Sequence, residues 1–188
     1  MMLLIAGLTA FFSVHLISTF KGVRSRFVSR LGERKYKLLF SLASIIGLAM
    51  IIVGYQSTSG PVLYSLSEAA RNVTIVLMYF AVYFFISNSA GPAPSSAQYF
   101  TAYPLNIGVI LWAASHLLVT GRLEAVLVFA SFLIFSVVSI MAGCHYQLKP
   151  RLKERPRLWK EFVFMAVAAV VYGGLLWGHH YYAGQALV

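Results

Sequence analysis

Six long apolar runs, each bounded by charged or turn-forming residues, constrain this chain of 188 residues more than any other feature. They cover approximately residues 2–20, 37–55, 72–88, 104–120, 123–143 and 162–180. A bilayer's hydrocarbon core is about 30 Å thick and takes about twenty helical residues to cross, which is the length of these runs. The expectation is an all-α integral membrane protein: one domain over residues 1–188, built as a bundle of about six transmembrane helices. With 60% hydrophobic and 11% charged residues, there is too little polar surface to enclose these runs in a soluble fold. The first run has no basic segment before it and its positive charges follow it, so it reads as a retained helix rather than a signal peptide.

Charge placement adds an orientation. Of the fifteen Lys and Arg, all but Arg71 and Arg122 fall in two connecting segments, 21–37 and 149–160. With six helices both segments lie on one side, and the positive-inside rule makes that side the cytoplasm, with both termini outside. A bacterial inner membrane, with the lipid bilayer as the first partner, is the expected setting. The pI of 10.0 does not indicate nucleic acid, because the cations sit in two connections rather than on a basic domain. The five acidic residues, Glu33, Glu68, Glu124, Glu154 and Glu161, lie in or beside connections. No carboxylate is left at mid-membrane, which argues against a carboxylate-based pump or cation-coupled transporter. Cys144 is the only cysteine, so any heme would be held without covalent attachment. The uncharged Ser/Gly/Pro-rich stretch 87–96 is expected to be a re-entrant or interfacial loop.

Two histidines lie inside apolar runs, His15 in the first and His116 in the fourth, where an unpartnered imidazole is costly. Phe11 precedes His15 by one helical turn and Trp112 precedes His116 likewise, with Gly7 and Gly108 one turn further back. Each helix therefore presents a Gly, aromatic, His stripe. Glycine would leave space for a flat macrocycle, an aromatic ring would stack on it, and neutral imidazole is a good axial ligand for heme iron. The same stripes serve equally as packing faces, with each histidine bonded to a neighbouring helix. The helix boundaries put the two histidines at depths differing by on the order of 10 Å, and His145, beside Cys144, is a rival ligand closer in depth to His15. His145 also suits an interfacial position next to a basic loop. His179 and His180, within the run Trp177 to Tyr182, read as part of an aromatic belt. Gly47 and Gly54, with Ser44, read as a surface for close helix approach.

The residues Gly32, Glu33, Arg34, then Phe40, Ser41, Leu42, Ala43 and Ser44, through Gly47 to Gly54 and Tyr55, resemble the NnrU family of membrane proteins. His15 matches that family's first-helix histidine, and Arg71 with the region of Met78 resembles its third helix. Gly108, Trp112, Ala114, His116, Leu117, Leu118 and Gly121 resemble its fourth-helix motif. The likeness covers most of the chain and is weakest in the sixth run.

The resemblance implies more than the spacing does. The family includes the 15-cis-zeta-carotene isomerase, in which heme b is axially ligated by two such histidines, so the implied ligands are His15 and His116, with Phe11, Trp112 and Gly108 beside them. Bacterial members are associated with denitrification and nitric oxide reductase function. Three readings follow: a heme-b protein of nitrogen-oxide metabolism, a heme-dependent isomerase acting on an apolar polyene, or a non-catalytic assembly partner of a membrane reductase. Two departures bear on the second. The family commonly carries Arg-His-Pro before the fourth helix, where this chain has Ala102, Tyr103 and Pro104. The isomerase has a cysteine three residues before its fourth-helix histidine, where this chain has Ala113.

Overall fold

The computed structural model describes residues 1–65, 68–89 and 95–183, without the side chains of Glu68, Ala69, His180, Tyr182 and Ala183. The described chain is helical: α1 Met2–Thr19, α2 Lys21–Leu31, α3 Glu33–Gln56, α4 Glu68–Ser89, α5 Ser96–Phe100, α6 Pro104–Leu117, α7 Leu123–His145 and α8 Leu158–Ala183. Five of these, α1, α3, α4, α7 and α8, are long and apolar enough to cross a membrane. The sixth expected span, α6, has only 14 residues.

That shortening corrects the expected end at Thr120. The chain beyond Leu117 is drawn into backbone pairing with the connection after α3: the Leu63 N–H donates to the Gly121 carbonyl at 2.7 Å and the Leu123 N–H to the Pro61 carbonyl at 3.0 Å. The Tyr64 hydroxyl donates to the Leu117 carbonyl at 2.8 Å, satisfying one of the acceptors that a helix end leaves open. A second correction concerns 21–37, expected as a connection. Most of it forms α2, which buries none of its residues, and Gly32 at φ 79° turns the chain into α3. The stretch 87–96 also contributes structure: α4 runs on to Ser89, and Ser95 caps α5, accepting from the Gln98 N–H at 3.4 Å. Residues 90–94 of that stretch lie outside the described part.

The helices pack in the order α3, α1, α7, α6, α4, α8, each against the next. Lipid supplies no hydrophobic drive between helices, so small residues and interhelical hydrogen bonds must hold this row together. Both are present. Along α1 and α3 the antiparallel pairing is set by glycines: a Cβ on Gly54 would come within 2.5 Å of the Leu4 nitrogen, one on Gly7 within 2.7 Å of the Ile51 nitrogen, and one on Gly47 within 2.9 Å of the Phe11 nitrogen. The expected role of Gly47 and Gly54 in close approach is what the backbone shows. At the other side three tyrosines tie α4 to α8: Tyr172 donates to the Ile75 carbonyl at 2.9 Å, Tyr79 to the Met165 carbonyl at 3.1 Å, and Tyr83 to the Glu161 carboxylate.

The two basic segments share one end of the bundle. The Lys21 N–H donates to the Tyr146 hydroxyl at 3.2 Å and its ammonium lies 4.6 Å from that ring, while the Leu152 N–H donates to the Gln98 carbonyl at 3.3 Å. At the opposite end the amino terminus donates to Thr58 at 2.8 Å. There Glu124, only 3% exposed, accepts from Arg122 at 2.6 Å and from the Gly60 N–H at 3.0 Å. Glu124 opens α7, where a carboxylate complements the helix dipole.

Candidate functional site

Helices α1 and α6 both pack on α7 and hardly touch each other, so they form the two banks of a groove floored by one face of α7. His15 stands on one bank and His116 on the other. Their local geometry is the same. In each, Nδ1 lies 2.8 Å from the carbonyl oxygen of the residue four earlier, Phe11 for His15 and Trp112 for His116. A carbonyl only accepts, so in each imidazole Nδ1–H donates, and Nε2 is the nitrogen left for another partner. This is the arrangement that fixes a metal-ligating histidine: the second nitrogen is held by a backbone acceptor and the first is presented.

The rings around them are aromatic. His15 stacks on Phe11 with centroids 4.1 Å apart and 27° between planes, and it also meets Phe40 of α3 at 5.1 Å and Phe135 of α7 at 5.8 Å. His116 stacks on Phe129 of α7 at 4.3 Å and 20°, with Trp112 at 5.3 Å. Between the two lies Phe132, edge-on to Trp112 at 5.5 Å and in contact with Phe11 at 5.6 Å and Phe12 at 5.0 Å. Phe132 is thus the centre of the groove floor. Phe129, Phe132 and Phe135 recur every third residue, a spacing visible in the fifth apolar run.

The depths differ as the sequence implies. His116 meets α7 at Phe129 and His15 at Phe135, six residues apart, which is about 9 Å along the axis at the helical rise. Holding one group between them would require His15 and His116 to reach a common level, by a sliding of α1 and α6. The donor set itself suits heme iron: two imidazoles, each held through Nδ1 by its own helix, among aromatic rings.

The glycines of the two stripes do not open this groove. Gly108 faces α4, where a Cβ would come within 2.8 Å of the Phe85 ring, and Gly7 faces the backbone of α3. Their effect is to seat the histidine helices closely on their outer neighbours. Ala113 is fully buried against Ala125 and Phe129. His145 ends α7, exposed at the basic end with Tyr146 at 5.2 Å, and Cys144 beside it is exposed. His179 is half-buried on α8, and Trp177 and Tyr181 face outward, 74% and 73% exposed, as an aromatic belt requires. The side chains of His180 and Tyr182 lie outside the described residues. Among the described residues no three His, Cys, Asp or Glu side chains gather, so a site for a bare ion such as tetrahedral zinc is not assembled.

No curated protein and no solved structure matches the chain. A family model does, that of the NnrU protein, over residues 3–186. The match takes in both histidine helices, the glycine-bearing α3 and the basic segments, and by it this multi-pass helical chain belongs to the NnrU family.

Proposed function

We propose that this NnrU-family protein carries heme b, with His15 and His116 as the residues that would hold the iron and Phe11, Trp112 and Phe132 as the rings that would border the macrocycle. The observation that supports this most is the matched pair of Nδ1–H donations to backbone carbonyls. Two histidines on different helices have the same Nδ1 bond to the carbonyl four residues earlier, which leaves Nε2 of each without a bond to its own helix. A packing histidine bonded to a neighbouring helix has no need of that duplication. When bound, heme supplies reversible one-electron chemistry whose potential axial imidazoles help to set. The chain's own contributions are the imidazole orientation, fixed from Phe11 and Trp112, and an apolar surround that limits water.

The family's association with nitrogen-oxide metabolism supplies the cellular setting for this reading, in a bacterial inner membrane. The excess of Lys and Arg at one end orients that end to the cytoplasm. The isomerase reading has less support here, since Ala113 offers no sulfur beside the site.

The test is the absorption spectrum of the full chain, expressed with ample heme and purified in detergent. The expected result is heme b with low-spin, bis-imidazole character. A folded, colourless protein overturns the proposal and returns both histidines to helix packing.

A further inference from the structure

Two cavities at the basic end are linked through α5. The first, about 440 Å³, is lined by Leu152, Lys153, Glu154, Arg155, Pro156, Arg157 and Lys160. Four cations face it against one carboxylate. The second, about 480 Å³, lies between α4, α5 and α6 and is bordered chiefly by Phe80, Phe84, Phe100 and Ile107, with Tyr83, Ser96 and Thr101 at its polar margin. Phe100 joins the two: its ring lines the apolar cleft and carries the Arg155 guanidinium 6.0 Å from its centroid.

We propose that these cavities form one site for an anionic phospholipid, its phosphate among Lys153, Arg155, Arg157 and Lys160 and an acyl chain in the cleft. Three observations favour a built site over the diffuse attraction that any basic loop has for headgroups. The first is counterions. In the other basic segment two of the seven cations, Arg24 and Lys37, pair with Glu33 at 2.7 and 3.2 Å, whereas among the described residues no carboxylate lies within ion-pair distance of any of the four cations lining this cavity. Unpaired cations clustered at one wall call for an external anion. The second is anchorage. The segment is pinned to α5 by the Leu152 N–H to Gln98 carbonyl bond, and Gln98 is itself buried, donating to the Ser87 carbonyl at 2.6 Å. The third is continuity: Arg155 of the basic pocket rests on Phe100 of the apolar cleft, so places for a lipid's two halves meet at one ring. Glu161 holds the cleft's margin, accepting from the Ser96 N–H at 2.7 Å and from Tyr83, so the polar rim is already satisfied and the remaining demand is for anion and hydrocarbon.

This inference is independent of heme, and its test reads lipid retention. The full chain in neutral detergent is titrated with phosphatidylglycerol, with phosphatidylcholine and with glycerol phosphate, and bound species are counted by native mass spectrometry. One phosphatidylglycerol per chain should be retained in preference to phosphatidylcholine. The double variant Arg155→Gln/Arg157→Gln should weaken it roughly tenfold or more. Ile107→Trp, which fills the cleft, should weaken it too, and Arg26→Gln/Arg30→Gln on α2 should leave it unchanged. Equal loss in the α2 variant, or no preference over phosphatidylcholine, would overturn the proposal. So would glycerol phosphate binding as tightly as the lipid, which would mark a simple anion site.

Discussion

The two histidine helices are locally alike and globally different. Both carry an aromatic residue one turn before the imidazole, both fix Nδ1 on that residue's carbonyl, and both lean on the phenylalanine ladder of α7. Yet α1 is clamped along its length to α3 through Gly7, Gly47 and Gly54, with His15 further enclosed by Phe40. By contrast α6 is short and wedged between α4 and α7, and His116 is the residue before its last. A local motif sets the chemistry of a side chain, and the neighbouring helices set where that chemistry is delivered. The contrast predicts that the two sites respond alike to changes in the ring itself and unlike to changes in the helices behind it.

The largest effect should come from the imidazoles. His15→Ala and His116→Ala should each abolish or convert the low-spin heme spectrum, while His145→Ala should leave it unchanged, as read by absorption and electron paramagnetic resonance. Loss with only one of the two would break the symmetry between the helices and leave a single ligand.

A smaller effect should follow from Phe132→Ala. The ring touches Trp112 on one bank and Phe11 and Phe12 on the other, and its removal should cost about 3 kcal/mol of stability and loosen both histidines together. Thermal unfolding of the purified protein in detergent, followed by circular dichroism, measures the first part, and heme retention the second.

Gly47→Leu sharpens the difference. Its side chain would drive into the Phe11 backbone and part α1 from α3, an overpacking cost of about 1–3 kcal/mol. Thiol labelling of single cysteines placed at Leu16 and Leu117, in a Cys144→Ala background, should report new access beside His15 and none beside His116. Equal labelling at both would show that α7 carries the disturbance across the groove.

Much of this was legible because transmembrane helices announce themselves by run length, and because a histidine in an apolar run is conspicuous. The starts of α6 and α7, at Pro104 and Leu123, fall where the apolar runs begin. The depth offset between His15 and His116 was also visible, since it needs only residue counting. What escaped was tertiary. Nothing local says that Gly7 and Gly108 would be filled by α3 and α4 instead of facing a ligand, because a glycine's partner is chosen by the opposing helix. Residues 118–120 are compatible with helix by hydropathy, so the run alone extends α6 to Thr120, and pairing with residues 61–64 stops it at Leu117. The polar cluster of Tyr83, Glu161 and Gln98 joins residues far apart in sequence, and no spacing rule reaches that distance.

The brevity of α6 reaches beyond the protein itself. Fourteen residues rise about 21 Å, well short of a hydrocarbon core of about 30 Å, while α7 beside it has 23 residues, enough to cross in full. Lipid next to α6 must therefore thin, or the polar turn at residues 118–122 must sit below the headgroups, and either response dimples one leaflet on one side of the molecule. Such a dimple has an elastic cost that falls when the surrounding bilayer is thin or when two dimples merge. Membrane thickness thereby becomes a variable acting on His116, which stands at the rim of the depression, and only weakly on His15, which is braced from behind.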